Sequence, residues 1–226
     1  MMSLRIRKTR LPMTLAVLLA FATLELTSMG RAASAAGDVA GQAYGASVKT
    51  ATATLDESPL ASLPAGGGMG DAEMAGVDVA STLTANALSS VTTGVIGENA
   101  ASAQSVAGLS DVNVLNGLVT AKAVVAIASS ASNGASASSS HAGSTIVDLV
   151  VNGVSMGVAE PAPNTVIDVP GVGSVILNEQ MPSGDGIQSS GLTVNMIHVV
   201  LKDALTGAST GDIVVGSAAS IAAYSR

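Results

Sequence analysis

Cysteine is absent from the 226 residues. That excludes disulfides, thiolate nucleophiles and cysteine-ligated metal centres. Tryptophan is absent as well, and aromatic residues make up 1% of the chain, namely Phe21, Tyr44 and Tyr224. Any core must therefore be built from Val, Ile, Leu, Met and Ala. The abundant Ala, Ser and Gly side chains are thin, which suits closely stacked β layers. Charged residues reach only 11%, and the two histidines are His141 and His198. Two isolated histidines without cysteine do not make a transition-metal site. No N-x-[ST] acceptor occurs for N-glycosylation. Helix signals are missing beyond the first thirty-odd residues.

Those first residues follow a three-part order. Arg5, Arg7, Lys8 and Arg10 are basic, Leu11 to Leu24 is an apolar run, and Ala33-Ser34-Ala35 supplies small residues. This is the pattern of a secretory signal peptide, here residues 1–36, with cleavage expected between Ala32 and Ala36. The apolar run falls short of the roughly 20 residues that span a bilayer, and Glu25 interrupts it. No transmembrane span is expected once it is removed. Removal takes Glu25 alone from the 16 acids. The remaining 15 face Lys49, Lys122, Lys202 and Arg226, a formal charge of −11. Such a chain repels phosphate backbones, so nucleic acid is not an expected partner. An exported chain without disulfides must be held by its own core or by assembly.

Hydrophobic residues make up 48% of the sequence, enough for a sizeable core. The strongest local signal is Thr145 to Val158, with Asn152-Gly153 at its centre. Asn-Gly between apolar runs favours a two-residue β-turn, because both residues tolerate positive φ. Pairing outward sets Val151 against Val154, Leu149 against Met156 and Val147 against Val158, all on one face. Asp148, Val150, Ser155 and Gly157 fall on the other. A second Asn-Gly, Asn116-Gly117, predicts Val114 opposite Val119, Val112 opposite Ala121 and Ser110 opposite Ala123. On the other face it pairs Asn113 with Thr120 and Asp111 with Lys122. A third, Asn133-Gly134, extends the meander through the Ala/Ser-rich stretch from Ser129 to Gly143.

Other segments read less sharply. Gln42–Ala53 reads as a first strand. Asp56–Asp71, with Pro59, Pro64 and Gly66-Gly67-Gly68, reads as a loop. Its glycine run ends Met69-Gly70-Asp71, without the Lys-Ser/Thr of a phosphate loop. Val77–Val91 alternates and predicts one long half-buried strand. An even-length loop at Pro170-Gly171 places Ile167, Val169, Val172 and Ile176 on one face. Met181–Ser190 reads as a loop, Leu192–Leu201 as a strand, Ala204–Gly211 as a loop and Ile213–Ala222 as the last strand. Many strands, short turns and no βαβ spacing predict an all-β antiparallel sandwich, or a related double sheet built from hairpins, over residues 37–226. A β-solenoid is the alternative, although no fixed repeat period supports it.

The order of short segments resembles the choice-of-anchor P proteins, a family of exported bacterial surface proteins. The matching stretches begin with Ala43-Tyr44-Gly45-Ala46 and Leu115-Asn116-Gly117-Leu118-Val119-Thr120-Ala121. They continue through Val151-Asn152-Gly153, Pro163-Asn164-Thr165 and Val169-Pro170-Gly171-Val172-Gly173. Last come Leu177-Asn178-Glu179-Gln180, Leu192-Thr193-Val194-Asn195 with His198-Val199, and Asp212-Ile213-Val214-Val215-Gly216. The resemblance implies a surface-associated protein of unassigned activity and carries no catalytic residues. The sequence departs from the family pattern at Ala223-Tyr224-Ser225-Arg226, with no LPxTG-type motif and no terminal apolar helix, which leaves covalent anchoring open.

Chemistry has thin support. Gly207-Ala208-Ser209-Thr210-Gly211 fits G-x-S-x-G, but that motif needs a strand before the serine and a helix after it. Here a strand follows. His198 shares parity with Leu192, Val194, Met196 and Val200, the position of a core histidine. His141 lies in the Ala/Ser-rich stretch. Loop acids such as Asp71, Glu73 and Asp185 suit calcium chemically, without EF-hand spacing. No catalytic, cofactor or metal residue is assigned. The expected function is a non-enzymatic extracellular or cell-surface structural or adhesive module, its partners being components of the cell envelope or extracellular matrix. The alternative is a secreted hydrolase using Ser209 and His198, which requires the two within hydrogen-bond reach.

Overall fold

The structure, a computed structural model, describes residues 37–157 and 159–225. The predicted signal peptide, residues 1–36, and Val158 lie outside the described residues. In chain order the strands are β1 (Gly37–Thr50), β2 (Thr54–Ser62), β3 (Gly68–Val79), β4 (Leu83–Ile96), β5 (Ala101–Val114), β6 (Val119–Ser132) and β7 (Ala137–Ser140). Then follow β8 (Thr145–Val147), β9 (Val150–Val151), β10 (Val154–Ser155), β11 (Thr165–Val169), β12 (Gly173–Gly184), β13 (Ser189–Lys202) and β14 (Ser209–Tyr224). No helix occurs among the described residues.

The strands form two antiparallel sheets, ordered β11-β12-β13-β14-β1-β2 and β10-β9-β6-β5-β4-β3. They pack face to face, with β1 over β4 and β5, and β14 over β5 and β6. This is the expected sandwich, not a stack of solenoid coils. The long β6 shares its outer edge among β7, β8 and β9 in turn.

Each sheet changes face halfway along. In the eight-stranded sheet Asn86-Ala87, Ser110-Asp111 and Lys122-Ala123 each place two consecutive residues outward, and the adjoining Leu88, Leu109 and Val124 point inward. Ala87 and Asp111 carry the positive φ of these kinks, 47° and 50°. In the six-stranded sheet Met196 and Ile197 are consecutive and both buried, opposite a kink at Gly216 (φ 69°) that leaves the register unbroken. The two kink rows fit one over the other. A Cβ at Gly216 would meet Val124 Cγ1 at 2.9 Å and Leu109 Cδ1 at 3.6 Å. Such kinks re-aim the adjoining side chains, and at Gly216 they do so without shifting the register of β14 against β13 or β1.

The kinks divide the interior in two. One half is filled by Leu83, Val112, Val114, Val119, Val175, Leu177, Ile197, Val199, Ile213 and Val215. The other is thin and partly polar. There Ser105 Oγ donates to Ala219 O (2.6 Å), Ser130 Oγ meets Ser220 Oγ (2.8 Å), and Ser190 Oγ donates to Ser138 O (2.6 Å). Layers joined by serine hydroxyls need no large side chains. This explains how a chain so poor in aromatics still packs a sandwich.

The Asn116-Gly117 register is as predicted near the turn: Val114 pairs with Val119, Asn113 with Thr120 and Val112 with Ala121. Ser110 and Ala123 also pair, but the kink carries them off the buried face and Leu109 and Val124 replace them. Asp111 and Lys122 are bracketed by these pairs. The Asp111 carboxylate instead accepts the Asn86 amide at 3.4 Å. The Asn133-Gly134 meander is present, with Ser132 paired to Ala137.

At Asn152-Gly153, Val151 pairs with Val154, and Met156 N donates to Leu149 O at 2.9 Å. The predicted apolar face does not persist. Asp148 adopts φ 53°, so Ile146 and Leu149 are buried while Val147 is 39% exposed. Val154 is 62% exposed because β10 closes the sheet edge, with nothing packed against it.

Four further expectations are corrected. The Asp56–Asp71 segment is not a loop, because β2 occupies Thr54–Ser62 and β3 starts at Gly68. Pro59 is tolerated there since β2 is an edge strand, where a missing N–H breaks no ladder. Val77–Val91 is not one strand. Ala80-Ser81-Thr82 turns it into a β3–β4 hairpin, closed by Thr82 N to Val79 O at 2.8 Å with Ser81 at φ 60°. The loop at Pro170-Gly171 has three residues, Val169 pairing with Gly173, so Val175 and Leu177 share the face of Val169 and Ile176 does not. Finally, β12 runs to Gly184, leaving only Asp185–Gln188 of the Met181–Ser190 loop.

Candidate functional site

The outer face of a sheet in a sandwich normally carries unconnected polar side chains. Here the six-stranded sheet carries a connected set. The row Glu179–Asn195–Ser217–Tyr44 crosses β12, β13, β14 and β1 in direct register. Ser217 Oγ donates to Asn195 Oδ1 at 2.8 Å, and Asn195 Nδ2 donates to Glu179 Oε2 at 2.7 Å. Tyr44 stands beside Ser217 in the ladder, with Ser47 three residues further along its own strand. Gln42, two residues before Tyr44, donates from Nε2 to Glu57 Oε2 at 2.6 Å. Asn195, Ser217 and Ser47 are buried despite facing outward. Burial is the largest influence on the Tyr44 phenol and pushes its pKa up; the Ser217 and Ser47 hydroxyls pull it down, and Glu57 and Glu179 add to the rise.

His198 extends this set. Its Nδ1 lies 3.0 Å from Glu179 Oε2 and its Nε2 3.3 Å from Asp212 Oδ1. The kink at Gly216 makes this possible. Without it, strict alternation would bury His198 with Met196, as the sequence predicts. With it, Ile197 and Val199 turn inward and His198 turns out, its side chain 18% exposed. Gly216 inside a strand is the signal for such a kink and close approach, and two adjacent large residues, Met196-Ile197, are its echo.

The predicted site residues are scattered. Ser209 is exposed and pairs with Lys202, whereas His198 pairs with Val214. The two registers differ by five positions along β14, about 16 Å. Both ring nitrogens of His198 are engaged by carboxylates, and Ser209 is not a partner. A strand, not a helix, follows Ser209. His141 sits in the turn between β7 and β8, its carbonyl accepting Ser144 N at 3.0 Å. Asp71 and Glu73 lie exposed on the edge strand β3. Asp185 Oδ1 is used by the backbone N–H groups of Ile187, Gln188 and Ser189 at 2.8–2.9 Å. Among the described residues no three His, Asp or Glu side chains are placed to hold a metal ion. Among the same residues no helix is long and apolar enough to cross a membrane.

Amide, hydroxyl, imidazole and carboxylate side chains thus hold one another in place across the outer face. Among the described residues the His198 ring nitrogens meet Glu179 and Asp212 and no hydroxyl. Comparison with protein-family models, with curated proteins and with solved structures found no match to the chain.

Proposed function

We propose that the chain is an exported, non-enzymatic module of the cell surface or extracellular space, structural or adhesive in role. The observation that carries this reading is the hydrogen-bonded outer face of the six-stranded sheet, from Gln42 to Asp212. A surface whose polar side chains hold one another in place is prepared to bind without ordering itself first. The basic, apolar and small-residue order of residues 1–36 supports export. The segment order shared with choice-of-anchor P proteins supports a surface location. The hydrolase reading lacks comparable support, since His198 is committed to Glu179 and Asp212 and not to Ser209.

The test is fractionation of the producing cell, with mass spectrometry of the secreted or envelope-bound chain. A mature N-terminus between residues 33 and 37 and recovery with envelope material are the expected results. A chain that keeps Met1 and remains inside the cell would overturn the reading.

A further inference from the structure

We infer that the outer face around Tyr44 is a binding site for an uncharged oligosaccharide. The inference rests on the surface-module reading and names the ligand class of that same face. Three observations converge on it. Tyr44 lies on the outer face of β1, half-buried and side by side with Ser217 of β14. Its half-buried ring is partly open to solvent among these polar groups. Tyr224, the other described aromatic, is buried and donates to Glu98 O. The sheet face thus has a single stacking platform.

The flanking groups are hydrogen-bond acceptors in excess. The contacts within the set engage one oxygen of each carboxylate: Oε2 of Glu57, Oε2 of Glu179 and Oδ1 of Asp212. The second oxygen of each is not engaged by them. A complementary ligand brings several donors and an apolar face of its own. A pyranose does both, with C–H groups on one face and hydroxyls around its rim. The row from Glu179 to Tyr44 spans four strands, about 14 Å across. That width suits an extended chain better than a point cation. Carboxylates facing outward exclude uronic and sulfated chains by like charge.

Asn195, Ser217 and Glu179 hold one another at 2.7–2.8 Å before any ligand arrives, so little side-chain entropy is lost on binding.

The test is titration calorimetry of the purified protein with the hexasaccharides of cellulose, xylan, starch and chitin. Hexagalacturonate and hexalysine serve as charged counterparts. The expected result is binding of at least one neutral hexasaccharide, weakened about tenfold or more by Tyr44→Ala, the loss of one central aromatic contact. If Tyr44→Ala does not fold, Gln42→Ala and Glu57→Gln replace it, and both should weaken the same hexasaccharide. Absence of binding to every neutral hexasaccharide overturns the inference. So does binding that ignores all three substitutions, or Tyr44-dependent binding of hexalysine alone. Retention on the producer's envelope is measured on the same samples. Retention unaffected by Tyr44→Ala keeps the surface reading and overturns the site. Hexasaccharide binding by a chain found only inside the cell keeps the site and overturns the reading.

Discussion

Leu88 of the eight-stranded sheet occupies the space that Gly45 of the six-stranded sheet leaves open. A Cβ built on Gly45 would come within 2.7 Å of Leu88 Cδ2. The contact lies in the kink rows, where both sheets change face. Gly45→Ala should therefore destabilise the fold by about 1–3 kcal/mol through overpacking. Leu88→Ala alone should cost about 2–5 kcal/mol. Together they should cost less than the sum, because the shortened side chain makes room for the new methyl group. The relief is partial, since Pro59 Cδ and Ser58 O lie 3.1 Å from the same point. Urea melts of the two single variants and the double variant measure the coupling. Strict additivity would refute the fit.

Leu149 is 2% exposed, between exposed Asp148 and half-buried Val150. Leu149→Ala should cost about 2–5 kcal/mol. Asp148→Ala should cost less, about 1 kcal/mol, since it removes no buried group and only places alanine at a left-handed φ of 53°. Asp148→Gly should be neutral or stabilising, because glycine adopts that φ freely. Thermal melts of the three variants give the order directly. An Asp148→Ala loss greater than that of Leu149→Ala would contradict the register.

Thr92 Oγ1 is buried in the thin half without a hydrogen-bond partner, the one such side-chain atom among the described residues. Thr92→Val keeps the shape and replaces the hydroxyl with a methyl group. It should stabilise the fold by about 1 kcal/mol, the desolvation cost of an unpaired hydroxyl. A higher urea midpoint with an unchanged slope is the expected readout. Destabilisation would mean that the hydroxyl is satisfied in solution.

Asp185 holds the turn between β12 and β13. Backbone N–H bonds, that of Ser189 foremost, hold its carboxyl below the usual aspartate range. Because the folded value is lowered, the stabilisation is present above the unfolded value, near 3.9, and is lost as pH falls through the folded value. Asp185→Ala should therefore melt below the parent at neutral pH. The gap should close from about pH 4 downward. Asp203, held low chiefly by the Thr206 N–H, should behave alike in the β13–β14 turn. Melts across that range check both. A gap that does not vary with pH would contradict the assignment.

Turn chemistry was the most legible part of the sequence. Asn116-Gly117 and Asn152-Gly153 read correctly because positive φ is a local demand of two residues. The Ala80–Thr82 turn was not legible, since neither glycine nor proline marks it. Parity failed wherever a kink intervened, as at Asp111, Asp148 and His198. A kink answers to the opposite sheet, and Leu88 and Val124 are far from Gly45 and Gly216 in sequence. The connected polar face was hidden for a similar reason. Tyr44, Glu179, Asn195 and Ser217 come from four strands and stand side by side only once those strands pair.

Gly37 and Tyr224 face each other across the β1–β14 ladder, which runs on to Thr50 and Gly211. Both ends of the described chain therefore leave from one pole of the sandwich. A tether attached before residue 37 or after residue 225 would hold the molecule by that same pole. The turns at 51–53, 80–82, 115–118, 152–153, 170–172 and 203–208 would then be carried at the opposite pole. The face bearing Tyr44 would stand along the side, open to a strand of ligand passing parallel to the anchoring surface. The same adjacency makes the molecule a candidate for circular permutation: a short linker joining the two ends, with new termini opened at 203–208, would leave every ladder of both sheets intact.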